Sequence, residues 1–427
     1  MTALVLLISF LVLILSNVPI AITMAISSIL ALISMDIGFS MIPMNYFATS
    51  SKFVLLAIPF FILGGNVMQK AGISTKLINF AQSLVGHIKG GLAIVCVIVS
   101  IFFAAISGSA PATVAALGLI IIPAMVDVGY KNSTSSALMA TSGAIGLIIP
   151  PSITFVLYGS IAGVSISRLF MAGIIPGILM GVFLIGAAMF VTRKAELKKL
   201  PKATAKERIE SFKDAIWALL MPIIILGSIY GGISTPTEAA AIAAMYGILV
   251  GLFVYKSINL KDLYRILVDS VTQTAVVMFI TATASLFAWV LTVEGIAAAA
   301  SDALITLAGG NQIIFLMIVN IILLMAGFVI DGTSSFFIFT PILLPVAIEL
   351  GYDPLAFGVV MVMNLAIGNA TPPVGVCLYV ACGIGNISLK EISREAVPFI
   401  VAAVIALLLV TYFPQISMLL PNLLMPQ

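Results

Sequence analysis

The sequence predicts an all-α polytopic membrane protein built from two inverted repeats, on three observations. The chain of 427 residues is 62% hydrophobic and only 8% charged, with a mean hydropathy of +1.27. A soluble protein of this length needs far more charge to cover its surface. Apolar stretches long enough to cross a bilayer recur from end to end. The prolines also repeat. All four between Pro123 and Pro176 (123, 150, 151, 176) fall on prolines 345, 372, 373 and 398 at a constant offset of 222.

The first stretch, MTALVLLISFLVLILSNVPIA, lacks a basic n-region and a small-residue cleavage site, so it reads as a first span. Spans follow at 2–16, 18–35 and 52–70, then a hairpin at 91–128, a broken helix at 133–165 and a span at 168–192. These make a first repeat over 1–192. The segment 193–213 carries eight basic and three acidic residues and reads as a solvated linker. Its Lys/Arg excess places it in the cytoplasm. The second repeat, 214–427, holds spans at 214–232, 235–255 and 272–292, a hairpin at 312–350, a broken helix at 354–385 and a span at 395–413. Segments 38–50 and 258–270 follow corresponding spans and read as helices lying at the membrane interface. This order leaves 17 of the 19 Lys/Arg inside, with Lys52 and Arg168 outside. Both termini are then external and the repeats begin on opposite sides, as in secondary transporters.

The breaks carry the chemistry. In hydrocarbon every peptide group needs an internal partner, so irregular backbone survives only when buried in protein or lining a cavity. Each half has two such places. One is a hairpin tip (AISGSAPAT, 105–113; VIDGTSSFF, 329–337) and the other an unwound helix (GAIGLIIPPS, 143–152; AIGNATPPVG, 366–375). Helix N-termini exposed there offer N–H donors to anions. Freed carbonyls and hydroxyls suit a hard cation such as Na⁺. A single Pro or Gly in a membrane helix is merely a kink; four breaks paired by symmetry and bearing hydroxyls or amides read as a binding site. Asp331 is the one acid placed within the membrane, where it can help a cation site, titrate, or cap the second hairpin helix. Asn364 reads as a helix–helix hydrogen bond, and Arg168 as an interfacial anchor or a contact for an acidic substrate.

Other classes are weakly supported. Cys96, Cys377 and Cys382 lack metal-ligand spacing, and the single histidine, His87, sits at a segment edge. No nucleophile–base pair or metal cluster supports an enzyme, and no cofactor is expected beyond a coupling ion. The net charge of +3 is scattered over loops and does not point to nucleic acid. Met and Phe are abundant as packing residues.

The motifs LLAIPFFILGGNVMQKAGI, LVGHIKGGLA, ISGSAPATVAALG, IIPPS, SRLFMAGIIPG, STPTEAAA, GYDPLAFGV and TPPVG occur in order and nearly end to end. They resemble the large membrane subunit of tripartite ATP-independent periplasmic (TRAP) transporters. The linker resembles nothing in particular. The resemblance implies an elevator-type secondary transporter of the bacterial inner membrane with a scaffold and a moving transport domain. It implies two partners, a small four-helix membrane subunit and a soluble periplasmic substrate-binding protein. Uptake would be driven by sodium, which fits the lack of a P-loop. Carried over residue by residue, it places one sodium and substrate site at Ser107, Gly108, Ser109, Gly143, Gly146 and Pro150. The other falls at Asp331, Gly332, Thr333, Ser334, Gly368, Asn369 and Thr371. Asn369 stands where the motif leads one to expect an apolar residue. The implied substrate is an organic acid of the sialic acid or C4-dicarboxylate class. A proton-coupled carrier using Asp331 and a channel lined by the re-entrant hairpins are the competing readings.

Overall fold

The computed structural model describes residues 2–330 and 332–425, and these residues contain helices and connections but no strand. The first half runs α1 (Thr2–Leu15), α2 (Ile20–Ser34), α3 (Met41–Ser50), α4 (Ala57–Lys70), α5 (Ile73–Val85), α6 (Gly91–Ser107), α7 (Ala110–Asp127), α8 (Asn132–Gly143), α9 (Ile153–Ala162) and α10 (Ile166–Thr192). The second runs α11 (Ala205–Tyr230), α12 (Pro236–Leu249), α13 (Leu260–Val293), α14 (Ile296–Ala308), α15 (Gln312–Val329), α16 (Gly332–Glu349), α17 (Pro354–Gly368), α18 (Val376–Gly385), α19 (Leu389–Tyr412) and α20 (Gln415–Leu424). Among the described residues, eight helical stretches are long and apolar enough to span a membrane.

Helices pack across the two halves in matched pairs. α2 lies on α13 as α12 lies on α4; α7 on α18 as α16 on α9; α8 on α19 as α17 on α10. Each contact has its mate when the halves are exchanged, the mark of a structural repeat. One group of helices contains α1, α2, α4, α11, α12 and α13. The other holds the two hairpins (α6–α7, α15–α16), the two broken helices (α8–α9, α17–α18) and α10 with α19. The groups meet chiefly where α4 touches α6 and α9 and where α13 touches α16.

Two expectations about segment boundaries change. Segment 258–270 is not a separate interfacial helix: it is the start of the 34-residue α13. No Gly or Pro interrupts that run, and Asn259 and Asp262 form a capping box at its start. At ~1.5 Å per residue α13 is about 51 Å long, more than the ~30 Å hydrocarbon core holds, so its charged first turns project beyond it. In the first half, Lys52 takes an extended conformation after α3, and the two pieces stay separate. The linker is also shorter than 193–213. Thr204 and Glu207 form a capping box, so α11 begins at Ala205 and absorbs the last nine residues of that segment. After α19, the uncharged residues Gln415–Leu424 form α20, packed along α10.

Between the helices, small residues set the distances. α15 and α17 meet at Gly327 and Gly368. A methyl group on Gly368 would lie 2.6 Å from Gly327 Cα, and one on Gly327 would lie 2.9 Å from Gly368 Cα. Membrane helices associate through such close packing, because lipid supplies no hydrophobic drive. Gly368→Leu must separate the pair; overpacking costs about 1–3 kcal/mol, expected as a fall of roughly 5 °C in the thermal midpoint of the detergent-solubilised protein. Gly227→Ala, where a methyl meets nothing within 4 Å, should leave the midpoint unchanged.

Candidate functional site

The first hairpin tip is built by sequence in three steps. Gly108 takes a left-handed conformation (φ 59°) and its N–H closes on Ala104 O at 3.0 Å, ending α6. Ser109 is extended, and Pro111 opens α7, where its missing N–H is not needed. The hydroxyls then knit the turn. Thr113 Oγ1 donates to Ser109 O at 2.8 Å and lies 2.8 Å from Ser107 Oγ.

The first unwound helix sits directly against this tip. α8 ends at Gly143 and tightens into a short turn, Ala144–Leu147, before the Pro150–Pro151 pair and α9. A methyl on Gly146 would fall 2.9 Å from Thr113 Oγ1 and 3.0 Å from Ser109 O. One on Gly143 would collide with the Val114 side chain, and one on Gly108 would come within 3.0 Å of Pro151 O. Ser107, Gly108, Ser109, Gly143, Gly146 and the Pro150 turn are thus brought together around one contact. Within the break, Ser152 Oγ and Thr154 Oγ1 both donate to Leu147 O, at 2.6 and 3.0 Å. Hydroxyls replace the helical N–H partners that the prolines remove.

Of the second set, Asp331 lies outside the described residues. Gly368 is pressed on Gly327, as above, at the end of α17. Thr371 Oγ1 donates to Ile367 O at 2.6 Å, and the Cys377 N–H donates to Asn369 O at 2.9 Å, tying the start of α18 back across the break. Ser334 is buried, and a methyl on Gly332 would meet nothing within 4 Å. Asn369 lines a cavity of roughly 430 Å³ with Asn17, Gly327, Ile330 and Gly375. Among the described residues, the first site is a tight backbone contact and Asn369 of the second borders open space. Both Pro-Pro pairs, 150–151 and 372–373, carry a cis peptide bond at matched positions. The broken helices also touch each other, with Tyr158 of α9 packed on Gly358 and on the Phe336 ring, 6.2 Å away centroid to centroid.

Tip 1 faces a cleft between the two helix groups, of roughly 580 Å³, lined by Ser107, Ser109, Asn66, Gln69, Thr272 and Gln273 among others. A second hollow shares Asn66, Gln69, Thr272 and Gln273 and continues to Lys70 and Asp269. The cleft thus runs from the tip toward the Lys70 end of α4. On its wall a methyl on Gly65 would sit 3.3 Å from Ser107 Cα. Sequence reasoning missed Thr113, Gly65, Asn66 and Gln273. Thr113 and Gly65 lie inside motifs already singled out; Asn66 and Gln273 become neighbours only in the fold, joined at 3.3 Å.

Asn364 Nδ2 donates to Asn320 Oδ1 at 2.8 Å, a hydrogen bond between α17 and α15 as expected. Arg168 Nη2 donates to Asn422 Oδ1 at 3.1 Å, so α20 holds it.

The geometry of paired hairpins and broken helices has a counterpart among known families. The family described as "Tripartite ATP-independent periplasmic transporter, DctM component" matches residues 7–416. The chain belongs to that family. It is 42% identical to the C4-dicarboxylate TRAP transporter large permease protein DctM of Pseudomonas aeruginosa, over 88% of each chain. It is 38% identical to the sialic acid TRAP transporter large permease protein SiaM of Vibrio cholerae, over 87% of each. Among solved structures it is similar to the Alcanivorax borkumensis YdaH transporter, with a TM-score of 0.65 over 88% of each chain. At 14% identity that likeness is one of fold. This member of the DctM family is a multi-pass membrane permease, the large subunit of a TRAP transporter.

The hydroxyl knot of tip 1 has a direct test. Thr113→Val keeps the shape and removes the hydroxyl that joins Ser107 Oγ to Ser109 O, while the Thr113 N–H still reaches that carbonyl at 3.1 Å, a loss of about 1 kcal/mol. The thermal midpoint should fall by a few degrees, and Thr113→Ser should restore it.

Proposed function

We propose that this permease carries an organic acid, of the sialic acid or C4-dicarboxylate class, into the cell with sodium as coupling ion. It does so with a small four-helix membrane subunit and a soluble periplasmic binding protein, in the bacterial inner membrane. The observation that carries the reading is the seating of tip 1 on the first unwound helix. There oxygen atoms of Ser107, Ser109, Thr113 and Leu147 gather within a few residues of two helix starts, those of α7 and α9. Hydroxyl and carbonyl oxygens suit Na⁺, and helix N-termini suit a carboxylate. The two relatives' names differ in cargo at nearly equal identity, which supports the organic-acid class rather than one compound.

The helix grouping supports an elevator movement. The group with α1, α2, α4, α11, α12 and α13 serves as scaffold, and the hairpins and broken helices move with bound ion and substrate. With the linker in the cytoplasm and both termini outside, the Lys70 end of the cleft faces inward, which supports reading this conformation as inward-facing. Sodium drives uptake only by binding the substrate-loaded form more tightly.

Proteoliposomes containing the chain with its two partners test this. Labelled sialic acid or C4-dicarboxylate should accumulate under an inward Na⁺ gradient and fail to do so with K⁺. Uptake that follows pH and ignores sodium would replace the coupling ion, and currents far above carrier turnover would make the protein a channel. Ser107→Ala and Asp331→Ala should each raise the sodium concentration for half-maximal uptake at least about threefold, less than the loss of one charge-assisted contact. Unchanged sodium dependence in a folded variant removes that residue from the site.

A further inference from the structure

α10 and α19 occupy equivalent places in the two halves and pack against each other. Between them runs a groove of roughly 550 Å³ with an apolar lining that includes Val182, Phe183, Gly186, Phe190, Pro398 and Val401. Its floor at Gly186 is open, since a methyl there would meet nothing within 4 Å. An apolar surface facing lipid is ordinary for a membrane protein. A concave one closed by cations at a single end is not.

The helices run in opposite directions here, so the C-terminal end of α10 and the N-terminal end of α19 share one end of the groove. Arg193 follows Phe190 by one turn, and its guanidinium stands over the Phe190 ring at 4.4 Å. Arg394 precedes Pro398 by one turn of α19 and is exposed. Lys194 and Lys390 flank them. The two acids in the first turns of α19 are engaged elsewhere. Glu391 caps Ser388 (2.7 Å), and Glu395 accepts from Thr134 Oγ1 (2.9 Å) with Lys131 at 4.0 Å. Among the described residues the only ion pairs are Lys131–Glu395 and Lys206–Glu210, so neither arginine has a carboxylate within reach.

We propose that this groove binds an anionic phospholipid, one acyl chain along Gly186 and the headgroup phosphate at Arg193 and Arg394. Charge complementarity decides the occupant. The chain of any lipid is already in hydrocarbon and gains only packing contacts by entering the groove. Selection must therefore come from the headgroup, where each Lys or Arg near the surface favours anionic lipid by roughly fivefold. The leaflet rests on the cytoplasmic placement of the linker under the proposed function; the lipid's charge class does not.

Native mass spectrometry of the full, delipidated chain tests it, with phosphatidylglycerol and phosphatidylcholine of identical acyl chains. Phosphatidylglycerol should bind at least about tenfold more tightly. Arg193→Gln with Arg394→Gln should weaken it about 25-fold and weaken phosphatidylcholine, whose phosphate is offset by its own ammonium, much less. Gly186→Leu, which fills the floor without displacing anything, should weaken both lipids. Equal binding of the two lipids to the wild type, or undiminished phosphatidylglycerol binding by the double variant, overturns the proposal. So does a dimer lost on Gly186→Leu, which would show a second copy in the groove. None of these outcomes depends on transport, so a failed uptake experiment and a failed lipid site remain distinguishable.

Discussion

Hydrocarbon offers no partner to a peptide group, and the architecture follows from how the chain meets that constraint where it stops being helical. At the first break, prolines 150 and 151 supply no N–H, and Leu147 O is instead taken by the hydroxyls of Ser152 and Thr154. At the hairpin tip, the Thr113 hydroxyl adds to the Thr113 N–H on Ser109 O and ties in Ser107. Tip and break then shield one another, because Gly146 and Gly108 bring backbone onto backbone. The helix groups, the symmetric packing and the cleft are arranged around that contact.

The two halves solve the same problem differently. In the second break the start of α18 closes back on Asn369 through the Cys377 N–H, and Gly368 rests on Gly327. Asn369 and Gly375 border a cavity beside the turn between α1 and α2. Among the described residues, a repeat inherited as a sequence pattern thus yields a closed contact at Gly146 and a cavity beside Asn369. Such a difference is what a carrier needs if an ion and a larger anion are to enter at separate places.

Much of this was legible in the sequence. The proline offset of 222 located both breaks, and SGSA and DGTS located both tips, because Pro and Gly act locally and leave a mark at their own position. Helix boundaries set by side-chain caps were harder to see. Thr204 with Glu207 moved the start of α11, and Asn259 with Asp262 let α13 absorb a segment expected to lie apart. Residues that matter through distant neighbours were invisible. Asn66 meets Gln273, and Gly327 meets Gly368, only once helices far apart in the chain are packed. The arginines of the lipid groove belong to the same class, since nothing in a linear reading joins Arg193 to Arg394.

The central claim is that the chain breaks its helices to present oxygen atoms to sodium, and ion binding to the resting protein tests it most directly. A ligand that binds only the folded state stabilises it by RT ln(1 + [L]/Kd), about 2.7 kcal/mol at a hundred times Kd. The measurement is the thermal midpoint of the purified chain in NaCl against KCl and choline chloride at equal ionic strength. The account predicts a midpoint several degrees higher in sodium, with the increment diminished in Ser107→Ala. Identical midpoints in all three salts, up to molar concentration, would contradict it.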